Sequence, residues 1–167
     1  MAESFDYEII DKAYQPYDNL SLLVCLKSTG DIEKKVIASV TESLKADYSF
    51  GADWARLVEI FQAPSLQMIS FTITEKGYAL YRPDGSLMPV VQADIDEGPA
   101  HARHAMSMVA ALLLERFQNG AYPLAVVSMD NCSHNGEKLQ ASVMTVAKAW
   151  LEKGFVGQDF IDYLSDE

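Results

Sequence analysis

Five consecutive residues, Asp130, Asn131, Cys132, Ser133 and His134, follow the apolar run at 124–129. They present in turn a carboxylate, an amide, a thiol, a hydroxyl and an imidazole, each able to give or take a hydrogen bond. A turn alone needs fewer such groups. A second polar set, Thr74, Glu75 and Lys76, closes the β-prone run that begins at Leu66. If the two runs are neighbouring strands, Thr74, Glu75, Lys76, Asp130 and Asn131 meet at one sheet edge. A plainer reading of the same residues also exists, because Asp, Asn and Gly after strands commonly cap helices and shape turns.

Two further arrangements have the residue types of a site without its geometry. His101 and His104 in "HARH" lie three apart and could face a metal from one helical turn, with Cys132 and His134 completing the set. No strand-end carboxylate clearly converges with them, so no metal site is expected and the histidines are read as residues of a helix start. Cys132 and His134 have the types of a nucleophile pair, but closeness in sequence is not a catalytic geometry.

The elements that must position these groups alternate along the chain. "LSLLVCLK" (20–27) and "KKVIASV" (34–40) flank a turn at Gly30 and Asp31 and predict a β-hairpin. Trp54, Leu57, Val58 and Phe61 recur at helical spacing, with Asp53 as the expected N-cap and Pro64 beyond the end. "LQMISFTIT" (66–74) predicts a strand, and "GYALYRPDGSLMPVV" (77–91) a Pro-Asp-Gly turn between two short extended pieces. From Ala100 to Asn119, Met106, Val109, Ala110, Leu113 and Phe117 form a helical stripe ended by Asn119-Gly120. "LAVVSMD" (124–130) is the next strand, Leu139, Val143, Val146, Ala147 and Trp150 the next helical stripe, and "DFIDYL" (159–164) a last short helix before a solvated acidic end. Strands that are nearly all apolar, alternating with helices, imply βαβ units around a parallel sheet, which binds ligands outside the carboxyl ends of its strands.

Composition narrows the function classes. The chain has 167 residues and a net charge of −11, with a sequence pI of about 4.6. One domain of this length buries roughly 70% of its unfolded surface. Its charge opposes nucleic-acid binding. There is no apolar run of membrane-spanning length, and the acidic start does not resemble a secretion signal. Two cysteines in unrelated contexts, Cys25 and Cys132, fit a reducing compartment, so a cytoplasmic location is expected.

"ISFTITEKGY" (69–78) followed by "VVSMDNCSHNGEKL" (126–139), with "YDNLSLLVCL" and "VIASVTESL" before them, resembles the paired motifs of the mannitol dehydrogenase family of long-chain polyol dehydrogenases. That family includes the fructuronate and tagaturonate (altronate) reductases, which the second motif resembles more closely than the mannitol dehydrogenases. Its usual pattern is similar to S-C-D-N-x-P-x-N-G; here Met129 replaces the Cys and Ser133 the Pro, and the Asp-Asn pair is intact. The resemblance implies an N-terminal Rossmann-like domain binding NAD, followed by a helical domain with a catalytic lysine. It also implies that Asn131 sits beside the reacting carbon and assists that lysine. Asp130 then orients Asn131, contacts substrate or cofactor, or caps a helix. Thr74 and Glu75 would line the nicotinamide side of the pocket, and Glu3 would hold a ribose hydroxyl.

No G-x-G turn and no K-x4-N-x2-H segment occurs in the chain. The expectation is therefore a partial Rossmann-like α/β domain over residues 1–167, mostly parallel, with flanking helices and a β-hairpin. Its first phosphate-binding unit and the catalytic helical domain would be missing. The expected activity is an NAD-dependent reduction of a hexuronate ketone to a secondary alcohol, or a related polyol dehydrogenation, with self-association of the fragment. A non-catalytic α/β binding or assembly module is the alternative.

Overall fold

The computed structural model describes residues 1–165; Asp166 and Glu167, at the end of the acidic tail, lie outside the described residues. The chain divides into two compact units, Met1–Trp54 and Ala55–Glu167.

In the first unit, β1 (Ala2–Glu3) runs parallel to β4 (Leu44–Lys45), with Glu3 opposite Lys45. A short π-helical and 3-10 segment over Ile10–Tyr14 and Gln15–Tyr17 leads to the hairpin of β2 (Ser21–Leu26) and β3 (Ile32–Ile37). The hairpin is antiparallel, in register from Ser21↔Ile37 to Leu26↔Ile32. Its turn needs a residue at φ +89°, supplied by Gly30. Leu22, Val24 and Leu26 stand opposite Val36, Lys34 and Ile32 and share one face. That face is exposed: Leu26 retains 77% and Val36 63% of its accessible surface. Helix α1 (Gly51–Gln62) starts two residues earlier than the sequence suggests. Asp53 is not its N-cap, because the Asp53 carboxylate instead accepts the Lys45 backbone N–H at 2.8 Å.

In the second unit, β5 (Met68–Phe71) and β6 (Ala125–Ser128) pair in parallel, from Met68↔Ala125 to Phe71↔Ser128. Among the described residues, two of the three strand pairings are parallel, as expected for the α/β class. Around the β5–β6 pair lie α2 (Thr74–Tyr78), α3 (Pro89–Glu97), α4 (Ala105–Gln118), α5 (Asn135–Glu152) and α6 (Gln158–Ser165). Residues Met106 to Leu114 of α4 are all buried, so it is the central helix rather than a one-striped surface helix. It packs on α5, whose stripe Leu139, Val143, Val146, Ala147 and Trp150 is buried as the periodicity implies. Leu139, Val143 and Val146 each contribute roughly 1.5–3 kcal/mol by leaving water.

Two expectations are corrected here. Residues 89–97 form α3, not an extended piece: Pro89 opens it at the first turn, where its missing N–H costs nothing, and Val91 and Ile95 are buried four residues apart. The helix expected from Ala100 begins at Ala105, after a 3-10 turn at Pro99–His101. The cause is Asp94, fully buried, whose two oxygens accept the Arg103 and His104 N–H groups at 3.0 and 2.8 Å. His104 then caps α4, its Nδ1 accepting the Met106 N–H.

The strand pair is fixed at its N-terminal end by one residue. Arg116, fully buried on α4, donates to the carbonyls of Phe61, Ala63 and Leu66, which lead into β5, and of Tyr122 and Pro123, which lead into β6.

Candidate active site at the ends of β5 and β6

The parallel register puts the carboxyl ends of β5 and β6 side by side, and of the polar sets after them Thr74 and Asp130 meet. Asp130 joins them. Its Oδ2 accepts the Ile73 N–H and its Oδ1 the Thr74 N–H, both at 3.0 Å. Tyr78, at the other end of α2, donates its hydroxyl proton to Asp130 Oδ2 at 2.5 Å. One carboxylate thus holds both ends of a five-residue helix belonging to the neighbouring strand. These three donors, the Tyr78 hydroxyl first, hold the Asp130 carboxyl below the usual carboxylate range. Tyr78 is pushed up to about 12, by burial first and then by its bond to Asp130.

Thr74 enters α2 at φ +63°, a conformation unfavourable for a β-branched residue and costing of order 1–3 kcal/mol. The charge-assisted bond from its N–H to Asp130 offsets part of that strain. Gly77 is required in the same helix, because a Cβ there would lie 2.9 Å from the Ile73 side chain.

On the β6 side, the Asp130 carbonyl accepts the Asn135 side-chain amide at 2.7 Å and the Cys132 N–H at 3.0 Å. Asn131 lies between these anchors, exposed, and its side-chain amide has no hydrogen-bond partner among the described residues. An anchored backbone carrying an unengaged neutral donor is suited to a carbonyl oxygen that gains negative charge. Glu75, also exposed, pairs with Lys138 of α5, which holds its carboxyl low and raises the lysine. Lys76 is exposed on α2.

Glu3 lies in the first unit, at the carboxyl end of β1. Its Oε1 accepts the N–H groups of Phe5 and Asp6 at 3.0 and 3.3 Å, while Oε2 has no partner among the described residues. His104 serves as a helix cap and His134 pairs with Glu137. Among the described residues, no group of three or more His, Cys, Asp and Glu side chains could hold a metal ion.

Sequence reasoning missed Tyr78, Ser128, Asn135, Lys138 and Arg116. Tyr78 had one available signal, its i,i+4 relation to Thr74, which was obscured because 77–91 reads as extended. Asn135 is the Asn of the motif's closing Asn-Gly and Lys138 follows two residues after it, but the motif gives neither a role. Nothing local marks Arg116 in an otherwise apolar helix.

No protein-family model matches the chain. It is 53% identical over 165 residues to a D-mannonate oxidoreductase of Thermotoga maritima, a match covering 99% of the chain and 30% of that protein. It is 27% identical over 164 residues to a mannitol 2-dehydrogenase of Cereibacter sphaeroides, covering 90% of the chain and 33% of that protein. Among solved structures, the Pseudomonas fluorescens mannitol 2-dehydrogenase in ternary complex with NAD and D-mannitol superposes with a TM-score of 0.76 at 26% identity, over 98% of the chain and 31% of that structure. The chain thus spans about a third of the length of these relatives. By these relatives, the chain belongs to the mannitol dehydrogenase family.

Proposed function

We propose that this chain is the later part of the nucleotide-binding domain of an NAD-dependent hexuronate reductase, converting fructuronate or tagaturonate to the corresponding secondary alcohol. The observation carrying this reading is the unengaged Asn131 amide on the Asp130 anchor, at the carboxyl end of a parallel strand pair. Oxidising one secondary alcohol of D-mannonate gives the ketone fructuronate, so the name of the Thermotoga relative and the proposed reduction describe one redox couple.

The reduced cofactor, NADH, would supply when bound the hydride that adds to the carbonyl carbon, leaving as NAD⁺. This chain's part is to receive the oxygen. Asn131 Nδ2 donates to that oxygen as its charge grows, stabilising the transition state more than the ground state. Asp130, its oxygens already engaged by Ile73, Thr74 and Tyr78, orients Asn131 rather than contacting the cofactor directly. Thr74 and Glu75 line the nicotinamide side. In the first unit, Glu3 keeps Oε2 for a ribose hydroxyl, the usual role of an acid at such a strand end. The oxygen takes its proton from a lysine, which the family resemblance assigns to a K-x4-N-x2-H segment not found here. The protein is proposed to work in the cytoplasm, where the free cysteines Cys25 and Cys132 stay reduced.

The test is to supply the complete enzyme with NADH and, separately, fructuronate, tagaturonate and fructose, and to follow NADH loss. Faster turnover of a hexuronate supports the reading. Preference for fructose would replace it with a polyol dehydrogenase.

A further inference from the structure

Within this proposed site, one buried hydroxyl touches neither of the surfaces available to substrate or cofactor, yet sits at the centre of the geometry. Tyr78 is 2% exposed. Its backbone carbonyl accepts the Ser142 hydroxyl of α5 at 2.8 Å, so α5 fixes the base of the side chain. At the tip, the Tyr78 hydroxyl lies 2.8 Å from Ser128 Oγ and 2.5 Å from Asp130 Oδ2. A phenol has one proton to give, and an ionised carboxylate can only accept. The proton of Tyr78 therefore goes to Asp130, and that of Ser128 goes to Tyr78. The bonds run in one direction, from the last residue of β6, through α2, and back to the residue before Asn131.

We infer that Tyr78 is a positioning residue for the reaction, fixing the Asp130 carboxylate so that the Asn131 amide is held where the carbonyl oxygen must lie. The inference rests on the catalytic reading of Asn131. Two backbone donors, Ile73 and Thr74, align the carboxylate with the β5 side. Tyr78 restrains its rotation from the buried side, with a donor whose own position is set by Ser128 and Ser142. Without that donor, Asp130 keeps its neighbours but loses one of three directional restraints, and Asn131 gains freedom. A misplacement of about 1 Å in a positioned group can cost on the order of 10²-fold in rate. Loss of one restraint in three should cost less.

The test is a double-mutant cycle in the complete enzyme, with the Kd for NADH and the melting temperature measured on each variant. Tyr78→Phe keeps the ring and removes the donor. It is expected to lower kcat about tenfold while KM for the ketone and Kd for NADH stay within a few-fold. If Tyr78 acts through Asn131, Tyr78→Phe/Asn131→Ala should be no slower than Asn131→Ala alone. A purely structural residue would give additive losses, and additivity overturns the inference. An unchanged kcat in Tyr78→Phe, with Asn131→Ala impaired, overturns it while leaving the catalytic reading intact. If Asn131→Ala is itself unimpaired, both fall, since Tyr78 then has nothing to position. Should Tyr78→Phe fail to fold, Ser128→Ala takes its place in the cycle, removing the hydroxyl that orients the phenol. The same non-additivity with Asn131→Ala is then the supporting result, and additivity the contrary one.

Discussion

The Thr74 backbone N–H lies 3.0 Å from Asp130 Oδ1, although the two residues are 56 positions apart in the chain. This bond joins the two polar sets that the sequence offered as candidates, and it lets Thr74 keep a left-handed backbone at φ +63°. The arrangement behaves as one unit, so its parts can be tested separately.

Asn131→Ala in the complete enzyme should lower kcat by about 10² to 10³, with NADH affinity within a few-fold, because the lost bond matters mainly as the alkoxide forms. Steady-state kinetics with a hexuronate, alongside NADH fluorescence titration, checks this. An unchanged kcat removes Asn131 from the catalytic role.

Asp130→Asn places an amide where two backbone donors and a phenol require acceptors. A lowered midpoint in urea unfolding is expected near neutral pH. The pH dependence has a definite sign. The folded Asp130 pKa is lowered from 3.8, so its stabilisation is complete above that ordinary value and is lost as pH falls through the lowered one. Asp130→Asn should abolish this acid-side component, and an unaltered stability profile below pH 4 would contradict the structure.

His104 gives a second window. Burial pushes its pKa below 6.5, against the opposing pull of Asp94 and a hydrogen bond with the Ala79 backbone. Its contribution is therefore complete above pH 6.5 and declines as pH falls toward the lowered folded value, where protonation removes the Nδ1 acceptor from the Met106 N–H. His104→Asn retains a capping side chain without a titrating ring. It should flatten the dependence of the melting temperature on pH below 6.5.

Arg116→Met should be the most damaging of these substitutions, by at least about 3 kcal/mol, since it orphans the carbonyls of Phe61, Ala63, Leu66, Tyr122 and Pro123 together. Arg116→Lys should recover only part of this, an ammonium having three donors and no planar fork. Chemical denaturation midpoints decide it, and a midpoint unchanged in Arg116→Met would show that the loops hold without the guanidinium.

The 167-residue chain expressed alone should self-associate and neither bind NADH detectably nor oxidise it with a hexuronate. The exposed hairpin face of Leu22, Val24, Leu26, Ile32 and Val36 is the apolar surface that drives association. Leu26→Lys should shift size-exclusion elution toward the monomer. A monomer that binds and oxidises NADH would show that the catalytic groups lie within these residues.

The sequence by itself determined the parts whose signal is local. Alternating apolar runs placed β2, β3, β5 and β6, the stripe from Leu139 to Trp150 placed α5, and the Asp130-Asn131 motif supplied the candidate site. Tertiary structure decided the rest, because it depended on bonds between residues distant in sequence. Asp94, reaching forward to Arg103 and His104, moved the start of α4 to Ala105. Asp53 left the helix start for Lys45, and Pro89 opened a helix where the turn residues before it suggested extended chain. Asp130 has three plausible roles in sequence and a definite position only once Ile73, Thr74 and Tyr78 are packed around it. Arg116 shows the same limit from the other side. A buried guanidinium is tolerable only when carbonyls converge on it, and carbonyls from residues as far apart as Phe61 and Pro123 converge only in the folded chain.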